Sequence, residues 1–194
     1  MSDFESAAAQ FNAEVERNGW GQSCDPSNGF FLRECRDLAA LWADAAPPGG
    51  IPPRDAMTPR KLKPYLTRLI LAERTLDTPP RLRFRLVGTL IGNTLTDRTG
   101  KYFDDPSATA EQTTRWTKSA LLTFCARHPL RFVMRSQNSV TGEMVCMPLA
   151  DEDGRDRFIL SYGYYDPLRN WSVQEAPTIA RISPTRSGFL SPAG

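Results

Sequence analysis

Between Arg81 and Leu86 large apolar side chains alternate strictly with arginines: Leu82, Phe84 and Leu86 against Arg81, Arg83 and Arg85. A period of two is what an extended strand imposes, because successive side chains leave opposite faces of the pleat. The segment is therefore tied to a sheet, with Phe84 and Leu86 expected inside and Arg83 outside. It runs directly into "VGTLIGNTLTDRTGK" (87–101), a string of glycines and threonines ending in Gly100 and Lys101. A phosphate-cradling loop needs Gly-x-Gly-x-x-Gly or Gly-x-x-x-x-Gly-Lys-Ser/Thr, so that closely spaced glycines let backbone N–H groups converge on the anion. Gly88, Gly92 and Gly100 are too widely spaced, and Tyr102 follows Lys101 where a magnesium-binding hydroxyl should stand. The stretch reads as a turn and a short helix.

The same alternation recurs on both sides. A strand is expected from Thr67 to Glu73, joined through "LDTPP" to the 81–86 strand as an antiparallel hairpin. Further on, Leu130, Phe132 and Met134 alternate, "NSVTGE" turns, "MVCMPLA" runs apolar, "DEDGRD" turns, and Phe158, Leu160, Tyr162 and Tyr164 alternate again. Between the two groups, Thr109 and Gln112 have the spacing of a capping box. They open a helix over about 110–128 with Trp116, Ala120 and Phe124 in line. Thr58 before Pro59 reads as an N-cap and first helical position.

Ahead of these lie two amphipathic helices. Phe4, Phe11 and Val15 keep helical spacing up to Asn18 and Gly19. A second helix, capped by Ser27 or Asn28, places Phe31, Cys35, Leu38 and Trp42 on one stripe and ends at the linker "PPGGIPP". The order predicts an α+β fold: a five-stranded antiparallel sheet with helices on one face, plus an N-terminal helical extension. The expected divisions are 1–55 for the extension and linker, 56–166 for the domain and 167–194 for a C-terminal extension.

Composition excludes several classes of protein. With 194 residues and 40% hydrophobic content the chain can bury one sizeable core. Its 24 basic and 22 acidic residues leave a net charge of +2, too little for a dedicated nucleic-acid surface. The most basic segment, "PRKLKPYLTR", is broken by prolines and reads as a solvated face. No segment has the length and apolarity of a membrane span, and "MSDFESAAAQF" lacks the positive charge of an export signal. Cys24, Cys35, Cys125 and Cys146 are scattered, which fits reduced thiols and a cytoplasmic setting.

With these elements in place, "FRLVGT", the Asp97-to-Gly100 segment and "MPLADEDG" can be set beside known families. The region 56–166 resembles a bacterial, stand-alone branch of the PAS domain family. The resemblance implies a sheet and a helical cradle around a small pocket, in a sensor coupled to partner proteins. It also assigns "TDRTGKYFDD" to the loop that closes the cradle, where Gly100 permits positive φ.

The cofactors of that family are not expected here. The flavin-adduct segment Asn-Cys-Arg-Phe-Leu-Gln is missing, and Cys125 is the one cysteine on the corresponding helix. Haem ligation would fall to His128, the single histidine, which sits at a helix end before Pro129 and reads as an imidazole on the last carbonyls. No Ser-His-Asp or Cys-His arrangement surrounds it. "DEDG" and Asp104-Asp105 read as turns.

The expected function is thus a non-enzymatic signalling module that binds a partner protein and a small, mostly apolar ligand. The pocket candidates are Phe84, Leu86, Trp116, Phe124, Phe132, Met134 and Tyr162. Two alternatives stay open: a small enzyme or carrier on a cradle-like fold, and a partner-binding protein with a filled core. Short helices are marginal in water unless their apolar face is covered. Since PAS-like modules resemble one another in using amino-terminal helices for dimer contacts, Phe31, Leu38 and Trp42 are expected to form a homodimer interface.

Overall fold

The alternating segments do assemble into a sheet in a computed structural model, which describes residues 3–136 and 139–166. The strands are β1 (Gln22–Asp25), β2 (Leu69–Arg74), β3 (Leu82–Val87), β4 (Leu130–Ser136), β5 (Ser139–Ala150) and β6 (Asp156–Tyr165). All neighbours are antiparallel, in the order β1-β4-β5-β6-β2-β3. The fold is α+β, with six strands instead of the five expected. The additional strand, β1, has four mostly polar residues and no readable alternation. It exists because β4 supplies one ladder and Asn12 the other. The Asn12 amide accepts from the Cys24 N–H and donates to the Cys24 carbonyl, each at 2.8 Å.

Helices α1 (Asp3–Asn18), α4 (Thr89–Leu95) and α5 (Ala110–Ala126) lie on one side of the sheet. The first turn of α5 is held by the reciprocal Thr109–Gln112 capping box. The second expected helix, α2 (Arg33–Ala45), packs on the opposite face, so both faces are covered. This corrects the one-sided arrangement and explains why "MVCMPLA" is apolar at every position instead of alternating. A short helix, α3 (Pro59–Leu62), begins at the Thr58 cap and runs on as a 3₁₀ helix over Lys63–Arg68.

The apolar stripe of α2 is used within the chain. Cys35, Leu38 and Trp42 are buried against Val145, Met147, Leu149 and Leu160, and the Trp42 indole N–H donates to the Pro148 carbonyl at 2.6 Å. Leu38 and Trp42 therefore cannot form the expected dimer face. Phe31 precedes the helix, where its ring lies under the Arg131 guanidinium at 4.1 Å. Asn28 is not the cap either: at φ 53° it bridges to β4, accepting from the Arg131 N–H and donating to the Pro129 carbonyl. What directs the chain into α2 is Glu143 on β5. Its fully buried carboxylate accepts the N–H groups of Phe31 at 2.9 Å and Leu32 at 2.8 Å, together with Arg131 Nε.

The other edge of the sheet is also covered. The Phe84 N–H donates to the Lys101 carbonyl, and the N–H groups of Gly100 and Phe103 donate to Phe84 and Leu82. Gly88 leaves β3 so close to the Leu66 and Thr67 backbone that a Cβ would lie 2.4 Å from the Leu66 oxygen, which reserves the position for glycine. Within β3 the register shifts: Ala72 pairs with Phe84, whereas Leu71 pairs with Leu86. Arg85 is the extra residue of this bulge. Phe84 thus faces α5, while Leu86 turns away and is 38% exposed, against the expectation that both point inward. Phe84→Ala should cost about 3–5 kcal/mol and Leu86→Ala less than about 1 kcal/mol in urea unfolding. Equal losses would contradict the bulge.

Glu73 is buried on β2 amid three arginines. One oxygen accepts from Arg83 at 2.8 Å and lies 3.5 Å from Arg85, and the other accepts from Arg157 at 2.7 Å. Burial pushes its carboxyl up, but the hydrogen bonds from Arg83 and Arg157 outweigh it and hold the group below the usual carboxylate range. A depressed folded value adds stability above the unfolded glutamate pKa, about 4.3, and loses it as pH falls through the folded value. Glu73→Gln should cost about 1–3 kcal/mol at pH 7. Its acid unfolding profile, followed by circular dichroism, should be shallower than that of the wild type.

Candidate functional site

The side chains that meet between α5 and the sheet are small. Ser119, Ala120 and Thr123 on α5 face Ala72, Cys146, Ser161 and Gly163 on the strands, and the space left by these short groups is a cavity of about 540 Å³. The spacing of Arg115, Trp116, Ser119, Ala120 and Thr123 brings them to one helical face. Leu90 and Ile91 of α4, Phe103 of the loop and Trp20 before β1 line its sides.

One wall is aromatic. The Phe84 and Phe103 rings lie 4.3 Å apart at 30°, and Trp116 meets them edge-on at 5.4 and 6.1 Å. Opposite runs a polar strip. Gln22 donates to the Ser119 hydroxyl at 3.2 Å, Ser119 to the Arg115 carbonyl at 2.9 Å, and Thr123 to the Ser119 carbonyl at 2.8 Å. These hydroxyls bond back to the preceding helical turn, which satisfies their hydrogens and leaves oxygen lone pairs over. On the sheet Ser161 donates to Cys146 Sγ at 3.2 Å. The Thr141 hydroxyl is buried and has no partner among the described residues.

Charge is distributed unevenly. Arg68, Arg98, Arg115 and Arg135 line the cavity, and no Asp or Glu does so among the described residues. Burial pushes the Cys146 thiol up to about 12, against the pull of hydrogen bonds from Ser161 and Thr123. At neutral pH it is a protonated thiol and a poor nucleophile. His128 lies outside the cavity, with Nδ1 2.8 Å from the Pro129 carbonyl and its ring edge-on to Phe4.

Of the pocket candidates, Phe84, Trp116 and Met134 line the cavity. Leu86 is turned out by the bulge. Phe132 shares a face with Met134 but is covered by α1, its ring 5.8 Å from Phe11. Phe124 packs in the same core, beneath the Arg74 guanidinium at 4.0 Å. Tyr162 belongs to the opposite face, against Tyr65 and the α2 core. Along β6 it is Ile159, Ser161 and Gly163 that reach the cavity, the set that alternates with Phe158, Leu160 and Tyr162. Sequence reasoning passed over Gln22, Ser119, Thr123, Thr141, Cys146 and Ser161. The available signal was a row of small and hydroxyl side chains at helical spacing on α5.

Among the described residues no group of three His, Cys, Asp or Glu side chains could hold a metal ion, and no helix is long and apolar enough to cross a membrane. The C-terminal extension expected from 167 onward lies outside the described residues.

An antiparallel sheet with a helical cradle over a small cavity is the architecture of a PAS-type module. Residues 32–162 match the PAS domain family. The chain belongs to that family, whose members are sensory and signalling modules. The matched region begins at Leu32 and so takes in α2. Among solved structures, an RNA-binding light-oxygen-voltage receptor is similar at 14% identity and a TM-score of 0.34; the match covers 84% of this chain and 52% of that one. The chain thus spans about half the length of that receptor. A comparison with curated proteins returns no significant match.

Burial makes a direct prediction for the thiols. Cys24 and Cys146 are pushed to about 12 by burial and Cys35 is raised well above its ordinary value, while Cys125 is exposed. Ellman's reagent should titrate Cys125 alone in the native chain and all four cysteines in guanidinium. Fast native reaction at Cys146 would show the cavity thiol to be activated.

Proposed function

We propose that the chain is a sensory module that holds a small ligand between α5 and the sheet and passes its occupancy to a partner protein. The observation that carries this reading is the cavity of about 540 Å³, bounded by an aromatic wall and a polar strip, a size and a lining suited to small-molecule sites. Such a volume argues against the filled-core alternative.

An enzymatic role has less support. The Ser119, Thr123 and Ser161 hydroxyls and the Cys146 thiol are bonded to one another or to helix carbonyls, the Thr141 hydroxyl has no partner among the described residues, and His128 stands outside. A nucleophile without an adjacent base is weak at its ordinary pKa. The geometry favours binding over turnover.

Occupancy has a route outward through α5. This helix forms one wall of the cavity, and α1 packs on it, linked by the Lys118–Glu14 ion pair at 2.5 Å. A ligand that shifts α5 would therefore shift α1, and we assign the partner contact to this helical pair. The homodimer expected through α2 has lost its apolar face, so we propose a partner of a different chain. Four unpaired cysteines suit a reducing compartment, and we place the protein in the cytoplasm.

Native mass spectrometry of the purified chain tests the reading together with Ala120→Phe, which fills the cavity from α5. The wild type should retain a small organic mass, or gain several degrees in melting temperature from a member of a metabolite library. Ala120→Phe should remain folded and lose either response. A wild type that shows the bare chain mass and responds to nothing in the library would overturn the proposal.

A further inference from the structure

Among the described residues, most arginines away from the cavity have a carboxylate within ion-pair distance. Arg83, Arg85 and Arg157 share Glu73, Arg131 holds Glu143 and Asp25, Arg127 holds Asp156, and Arg81 holds Asp104. Of the four cavity arginines, only Arg115 has a carboxylate within ion-pair distance among the described residues. That partner, Glu111, is mostly exposed and 4.0 Å away. In a chain whose net charge is +2, this is a local surplus of positive charge around a largely apolar space.

Two of these arginines flank the aromatic wall. Arg98 is 94% buried, with its guanidinium 4.9 Å from the Trp116 ring centroid; its hydrogen bonds go to the Ser107 hydroxyl and carbonyl, both neutral. Arg115 directly precedes Trp116 on α5 and donates to the Trp20 carbonyl at 3.0 Å. In both, as in the carboxylate-paired Arg83 and Arg157, the Nε atom is buried and has no partner among the described residues, and the same holds for the Thr141 hydroxyl. A guanidinium taken out of water is stabilised by a carboxylate, which accepts in the plane of its donor fork. Neutral acceptors satisfy the Arg98 hydrogens, and its charge is compensated only in part, by an Asp105 carboxylate that stands behind Ser107 and is shared with Lys101.

We propose that the ligand is an organic carboxylate: an apolar or aromatic body lying against Phe84, Phe103 and Met144, with its anionic head beside Trp116, between Arg98 and Arg115. This rests on the ligand-binding reading above and adds an anionic head to the mostly apolar ligand expected from sequence. The walls select for the body. Two of the four lining arginines stand at the aromatic wall, and a single carboxylate head matches that pair.

Isothermal titration calorimetry with octanoate and 3-phenylpropanoate, each beside its primary amide and its amine, tests the charge directly on the wild-type chain. The acids should bind at least about tenfold more tightly than their amides, and the amines should not bind. Arg98→Gln and Arg115→Gln should each remove most of that preference for acid over amide, and Arg98→Lys should retain part of it. Amides that bind as tightly as the acids overturn the charge assignment but leave the cavity a ligand site. So does undiminished acid binding in folded Arg98→Gln and Arg115→Gln. If neither acids nor amides bind, the carboxylate proposal fails; if the metabolite library is silent as well, the ligand-binding reading fails with it. Inorganic phosphate that competes with the acids at equal concentration would reassign the site to a phosphorylated ligand.

Discussion

One buried carboxylate organises the half of the molecule that contains β1, β4, β5 and the entry to α2. Glu143 has no exposure to solvent, yet its lone pairs are engaged by Arg131 and by two successive backbone N–H groups at Phe31 and Leu32. Arg131 reaches onward to Asp25 on β1. Burial pushes the Asp25 carboxyl up, but hydrogen bonds from Ser27 and Arg131 prevail and keep it below its ordinary value. The network ties three strands to the loop that carries the chain round to the second face of the sheet. Removing one partner of such a pair typically costs about 3–5 kcal/mol, since the remaining charge is left buried and uncompensated.

With α2 committed to that second face, the two sides of the sheet serve different ends. Large side chains fill the α2 side, where Leu38, Trp42, Met147, Leu160 and Tyr162 belong to one buried cluster. On the other side α1 fills only the region around Phe11, Phe132 and Leu130. Beyond it α5 crosses strands whose inward residues are short, and the cavity follows from that mismatch of volume. The cavity and the α2 core thereby lie on opposite faces of the same strands, so residues 159–163 alternate between them one by one.

The elements were legible in sequence because each has a local cause: the alternation of the strands, the Thr109–Gln112 box, the Thr58–Pro59 cap. What was not legible depended on partners distant in the chain. The short strand at Gln22 has no stability apart from β4 and Asn12. The reversal at Leu86 comes from a bulge that the period of two cannot encode, because one extra residue flips every side chain after it. Tyr162 was assigned to the pocket because it is aromatic and in phase with Phe158, yet on a strand covered on both faces phase does not say which face holds the space. The resemblance to PAS domains was legible from "FRLVGT" and "MPLADEDG". The cavity arginines were not, because Arg98 lies in the segment that reads as a loop and Arg115 is not among the apolar residues that mark the helix over about 110–128.

The capped edges of the sheet have a consequence for how this protein can be recognised. At β1 a side-chain amide takes the place of a neighbouring strand, and at β3 the backbone of 100–103 does so. Where β4 stops short of Pro148, that residue has no N–H to offer, and the Ala150 N–H is taken by the Pro52 carbonyl. An extended peptide would find few free main-chain groups along these borders, and two copies could not zip edge to edge. What these borders disfavour is recognition by lengthening the sheet, so the partner proposed above would have to read side chains on helical surfaces, by shape and charge.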